Sequence, residues 1–214
     1  MFNAFLATSF IGLVLFGSEF AWKRISVSDE FARKFVHIIC GTFIAFLPFW
    51  VSYNWVIILA IGFIVVNIFN RYLHFFHAIN AVRRKSWGDV LFGVGVLIAA
   101  LFRPDTWLFA MAIMQVSLAD GLAGLIGVTY GQKKGRYYLL SQPKSVIGSL
   151  TFLATSIGVM IVGIGFSTYF VDSIQMLPVI VMLPLVLTCI ENISVFGMDN
   201  ITLPLATLFI LNLF

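Results

Sequence analysis

The chain has 214 residues, of which 61% are hydrophobic and only 10% charged, with a mean hydropathy of +1.04. A soluble domain carries about 25% charged residues, so this chain has too little polar surface to cover a globule in water and reads as a membrane protein. Its net charge of +4 is explained by loop topology and lipid head groups, and no nucleic-acid partner is inferred from it.

A transmembrane helix needs about 20 apolar residues. Laid along the chain, that length predicts eight spans, at about 2–22, 35–51, 55–73, 88–102, 106–128, 146–170, 176–196 and 201–214, of which the fourth and eighth are short. The expected fold class is therefore an all-α, polytopic bundle of 7–8 transmembrane helices, one domain over residues 1–214. Polar/apolar alternation is too weak for a β-barrel. The first span lacks a basic lead-in and a small-residue cleavage pattern, so it reads as a retained helix rather than a signal peptide. Cys40 and Cys189 sit in apolar runs and imply no disulfide framework.

Of the 13 Lys and Arg, 12 lie in alternate loops: Lys23, Arg24, Arg33 and Lys34; Arg71, Arg83, Arg84 and Lys85; Lys133, Lys134, Arg136 and Lys144. Only Arg103 lies elsewhere. The positive-inside rule then places these loops in the cytoplasm and the amino terminus outside, so any chemistry is expected at the cytoplasmic face.

Ionisable groups inside a bilayer cost about 2.5 to 3.5 kcal/mol each on insertion scales and mark function by default. Glu19 stands one turn before Lys23, which supplies an ordinary i,i+4 partner. From Ser28 to His37 the chain reads as a helix in which Asp29 pairs with Arg33 and Glu30 with Lys34. His37 is then left as a candidate proton acceptor, although a lone histidine is more often structural. His74 and His77 have no ligand partners at metal spacing. Asp89 follows Gly88 at a helix start, where the dipole favours a carboxylate with or without a ligand.

Asp120 has no neutralising neighbour in sequence. At 100° per residue, Asp120, Gly124, Gly127 and Gly131 share a stripe about 60° wide, leading toward Lys133, Lys134 and Arg136. An anionic ligand is expected to lie along this strip with a cation at the Asp120 end; the competing reading is a small-residue helix contact. Next, Pro143, Lys144, Ser145, Gly148 and Ser149 open the sixth span, and a helix start with free N–H groups is an anion seat. Pro143 and Ser145 also suit a plain first-turn Pro and N-cap. Glu191 precedes the polar turn of Gly197, Asp199 and Asn200, and hard carboxylate ligands of this kind suit Mg²⁺. No P-loop pattern occurs.

These residues resemble the polytopic CTP-dependent lipid kinases, the family of dolichol kinase, phytol and farnesol kinases and the fungal-type diacylglycerol kinase. The resemblance rests on Arg33-Lys34-x-x-His37-x-x-x-Gly41, on Asp120-x-x-Ala123-x-x-x-Gly127-x-x-x-Gly131, on Lys144-Ser145-x-x-Gly148-Ser149, and on Glu191 with Asp199-Asn200-x-x-x-Pro204. It covers residues 33–204 in the family's order. Two positions depart from the usual pattern, Val146-Ile147 where the family has Glu after the Lys-Ser pair, and Asp89 where several members have Glu. The likeness implies transfer of the γ-phosphate of CTP, with Mg²⁺, to a lipid alcohol, first an isoprenoid alcohol and second diacylglycerol. It implies Asp120, Glu191 and Asp199 as metal ligands and Lys144 with His37 or Asp199 as catalytic groups. Nucleotide contacts would come from Arg33, Lys34, Gly124, Gly127, Gly131, Lys133, Lys134, Ser145, Gly148 and Ser149. A CTP:phosphatidate cytidylyltransferase and a small transporter with an intramembrane acid path are the competing readings.

Overall fold

The computed structural model describes residues 2–22, 29–73, 87–131, 135–140, 142–170 and 176–214. Among these the chain is helical apart from one short hairpin. Helices α1 (Phe2–Trp22), α2 (Asp29–Ala45), α3 (Tyr53–Leu73) and α4 (Gly88–Leu101) are followed by α5 (Thr106–Met114), a π-helical turn (Gln115–Ala119) and α6 (Asp120–Tyr130). Strands β1 (Arg136–Leu139) and β2 (Gln142–Ser145) come next, then α7 (Val146–Phe166), α8 (Leu177–Ile193) and α9 (Asp199–Leu211).

Local chemistry accounts for the boundaries. The expected second span at 35–51 starts earlier, at Asp29, and stops at Ala45. Pro48 follows in a 3-10 turn over Leu47–Phe49, because proline removes a donor and clashes with a continuing helix. Asp105 caps α5 by accepting a 2.8 Å bond from the Trp107 amide, the usual role of a carboxylate at a helix start. The basic connection before the sixth span is no plain loop. It folds as an antiparallel hairpin pairing Tyr137 with Lys144 and Tyr138 with Pro143, with Gly135 and Leu140 at positive φ around its turns. Pro143 thus lies on β2 rather than in a first helical turn.

Three helical stretches, Tyr53–Arg71, Thr106–Tyr130 and Val146–Phe166, are long and apolar enough to cross a membrane, and Phe2–Ser18, Gly88–Leu101, Leu177–Ile193 and Asp199–Leu211 are shorter apolar helices. The α5–π–α6 rod is the centre of the bundle. It packs against α2, α4, α7 and α9, while α1 lies on α2, α3 on α4, and α8 on α7 and α9. Leu108, Phe109, Ile113 and Val116 of the rod are fully buried, together with Phe152, Met160, Leu187 and Leu203 from the surrounding helices. Phe5, Leu13, Ile58, Val66, Phe69 and Phe209 point outward, which water would penalise and lipid does not.

Close packing uses small residues, as expected where no hydrophobic force drives helices together. A Cβ on Gly95 would strike the Asn200 carbonyl where α4 crosses α9, and one on Gly163 would strike the Met111 side chain. Gly62, on the outer face of α3, meets nothing within 4 Å. Gly95→Val is therefore expected to destabilise the protein by about 1–3 kcal/mol, the range of overpacking, because a backbone carbonyl cannot rotate away. Gly62→Val should leave thermal unfolding in detergent unchanged.

Candidate active site

The rod, α2, the hairpin and the turn before α9 meet around one cavity of about 600 Å³, within the size range of small-molecule sites. Helix α2 supplies Arg33, Lys34 and His37; α6 supplies Asp120, Gly124 and Gly127, followed by Gly131; the hairpin supplies Arg136, Gln142, Lys144 and Ser145. Gly148 and Ser149 of α7, Glu191 of α8, and Asp199 with Asn200 complete that side. Every described residue singled out as catalytic, nucleotide-binding or metal-binding lines this space. Lys133 and Lys134, like His74 and His77, lie outside the described residues.

Lys34 is paired differently from the local partner expected for it along α2. Lys34 Nζ is 2.6 Å from Asp120 Oδ2 and 3.4 Å from the Asp120 carbonyl, and both side chains are buried. Its anionic partner thus comes from 86 residues away in the chain. Lys144 in turn forms an ion pair with the Glu191 carboxylate and donates to the Glu191 carbonyl at 2.8 Å. Asp120 and Lys144 share the cavity, each held by a different partner. Taking either partner from a buried pair leaves an uncompensated charge, at about 3–5 kcal/mol.

The glycine strip is occupied. A Cβ on Gly124 would lie 2.9 Å from Lys34 Nζ, and one on Gly127 would lie 3.0 Å from Ser145 Oγ and 3.5 Å from Gly148 Cα. The strip therefore seats Lys34 and the first turn of α7 against α6, while its remaining edge lines the cavity. Ser145 is the N-cap of α7, its oxygen accepting the Gly148 amide at 3.1 Å, which leaves its hydroxyl hydrogen to donate. Ser149 is tied down more fully. Its hydroxyl is 2.7 Å from that of Tyr137 and 3.0 Å from Asn192 Oδ1, and Tyr137 also donates to Asn192. That network pins the hairpin to α7 and α8.

His37 Nε2 is 3.0 Å from the Val116 carbonyl, so it donates there, and in the neutral ring Nδ1 carries the lone pair. The π-helical turn that exposes this carbonyl side also buries Gln115 and Ser117; π-bulges recur at functional sites. Asp199 Oδ1 accepts two 2.9 Å bonds from Asn200, and Asp199 has no cationic partner among the described residues. No group of three or more His, Cys, Asp or Glu stands at metal-ligating spacing among them. Asp120 and Asp199 nevertheless both line the cavity.

A second polar group across the cavity contains Asp89, which the sequence offered as a helix-start carboxylate, with partners that sequence reasoning missed. Arg71 of α3 pairs with Asp89 of α4 and stacks 4.4 Å above the Trp87 ring, and Asn67 lies one turn earlier on α3. Polar Asn67 and Asn70 in an otherwise apolar span were the available signal.

No protein-family model matches the chain, and no solved structure matches it significantly. A curated protein, the phytol kinase of Synechocystis sp. (strain ATCC 27184 / PCC 6803 / Kazusa), is 29% identical over 208 residues, covering 94% of this chain and 87% of that one. The likeness thus runs through every element that builds the cavity. The chain is thus a relative of a phytol kinase, which supports a relationship to the lipid kinases that its motifs resemble.

Proposed function

We propose that the protein is a lipid kinase that transfers the γ-phosphate of CTP to the hydroxyl of a membrane isoprenoid alcohol of the polyprenol, dolichol or phytol type, working at the cytoplasmic ends of a multi-pass bundle of seven or eight spans. The observation that carries this reading is the meeting of Asp120, Asp199, Lys34 and Lys144 around one cavity, in a chain related over nearly its whole length to a phytol kinase.

Phosphoryl transfer is mainly positioning and charge neutralisation. Each lysine is paired with a carboxylate, so these charges offset one another within the site. A triphosphate supplies phosphate oxygens for Lys34 and Lys144, with Arg33 and Arg136 at the cavity wall. Mg²⁺ bound by Asp120 and Asp199 would neutralise phosphate charge. The α7 start offers the Ser145 hydroxyl and the positive end of its helix dipole to the same anion. The alcohol's proton passes to Asp199 or to His37 Nδ1.

Purified protein given Mg²⁺, phytol and CTP labelled at either the γ- or the α-phosphate distinguishes the chemistries. γ-Label is expected in the lipid; α-label there would mean nucleotidyl transfer, and label in neither would reject the kinase. Asp120→Asn and Lys144→Ala should each lower γ-transfer by at least about a hundredfold, the scale of losing a charge-stabilising group in other active sites. Near-wild-type rates would remove that residue from its role. On stability, Lys34→Met is expected to cost about 3–5 kcal/mol, and a simultaneous Asp120→Leu should return most of it, as read by unfolding in detergent.

A further inference from the structure

The cavity has a second arm that the phosphate chemistry does not use. Helices α2 and α3 both contact the 3-10 turn Leu47–Phe49 and have no extended contact with each other among the described residues; α1 packs on α2 and α3 on α4. The two pairs thus flank an arm of the cavity that runs on from the charged site. Its walls are Leu15 of α1, Val36 and Cys40 of α2, and Phe63 of α3. Its floor is Phe92 of α4, whose ring lies 4.8 Å from that of His37 and 6.1 Å from that of Phe63. Apolar walls beside a charged chamber suit a ligand with a hydrocarbon body and a polar head.

One polar atom stands in this arm without a partner. Asn67 lines the cavity and is only 2% exposed. Its amide nitrogen donates to the Phe63 carbonyl at 2.8 Å, while Oδ1 is buried and accepts nothing. A buried acceptor left unpaired is costly, and a small rotation of the Asn67 side chain toward the cleft would let an entering hydroxyl supply the missing donor.

We propose that the cleft between α2 and the α3–α4 pair is the acceptor channel: a single-chain lipid alcohol enters from the bilayer between α1 and α3, lays its hydrocarbon against Phe63, Phe92 and Cys40, and docks its hydroxyl on Asn67 Oδ1, from which the hydroxyl turns to Asp199 or His37 when it gives up its proton. The channel rests on the kinase reading for its purpose, and its occupancy can be measured without turnover. One cleft between two helix pairs takes one chain, which favours an isoprenoid alcohol over diacylglycerol.

The test uses the full chain in phosphatidylcholine nanodiscs with a diazirine-bearing phytol analogue, mapping cross-links by mass spectrometry, beside steady-state γ-transfer to phytol and direct MgCTP binding. Cross-links are expected on the peptides holding Val36, Cys40 and Phe63, and excess phytol should suppress them while dioleoylglycerol does not. Asn67→Leu should raise KM for phytol about fivefold, the effect of one hydrogen bond, and Cys40→Trp more than about tenfold by filling the arm. MgCTP affinity should stay within about twofold in both. If Cys40→Trp fails to fold, Asn67→Leu and the cross-links still decide. Labels confined to the outward faces of α1 and α3, suppression by dioleoylglycerol as strong as by phytol, or a wild-type KM for phytol in Asn67→Leu, overturns the channel. Cross-links in the cleft without γ-transfer by the wild type would reject the kinase and leave the channel standing.

Discussion

A carboxylate held among membrane helices has to be neutralised from within the protein, and the contact between Asp120 and Lys34 does this. The lysine is buried beside it, so the pair brings α2 against α6 at the site end of the bundle. Gly124 is what lets the lysine stem lie flat on the helix. The second acid, Glu191, is met in the same manner by Lys144, which the hairpin delivers from the other side. Two ion pairs of like construction therefore close the site from opposite walls. Such pairs contribute little net stability against an apolar alternative of the same shape, which is itself an argument that these charges are kept for what they do with a ligand.

The apolar spans, the buried acid and the lysine-bearing helix start were all legible in the chain, because hydrophobic length and intramembrane charge are signals carried by composition alone. The partner of Asp120 was not. Spacing rules for helices connect residues three or four apart, so they assigned Lys34 to Glu30 although its carboxylate comes from α6. The hairpin was hidden for a different reason: its four-residue strands are too short to show a period and follow a run of basic residues that reads as loop. Asn67 went unremarked because one amide in a long apolar run changes its mean hydropathy little. Its meaning comes only from the cleft it faces.

The glycines of α6 show how one small-residue stripe satisfies two readings. Gly127 and Gly131 admit Ser145 and the start of α7, a packing role, yet that same approach brings the capped amides of α7 to the rim of the cavity. Ser149, offered by its spacing as a phosphate donor, is bound instead to Tyr137 and Asn192, so it holds the rim in place. Packing and ligand geometry are here consequences of the same close approach.

The π-helical turn ahead of Asp120 has an implication for how this rod tolerates change. A five-residue turn stores one more peptide unit than an α-helical run of equal rise, and each unit advances the helix by about 100°. Losing a single residue between Gln115 and Ala119 would let the rod relax into uninterrupted α-geometry with nearly the same turn and rise, leaving the acid facing as before, whereas a loss elsewhere in the rod would swing it by about a quarter-turn. The π turn is thus the one stretch of the rod whose length can shorten by a residue without turning Asp120 from the cavity, and the rod's register, more than its hydrophobicity, determines which way the acid faces.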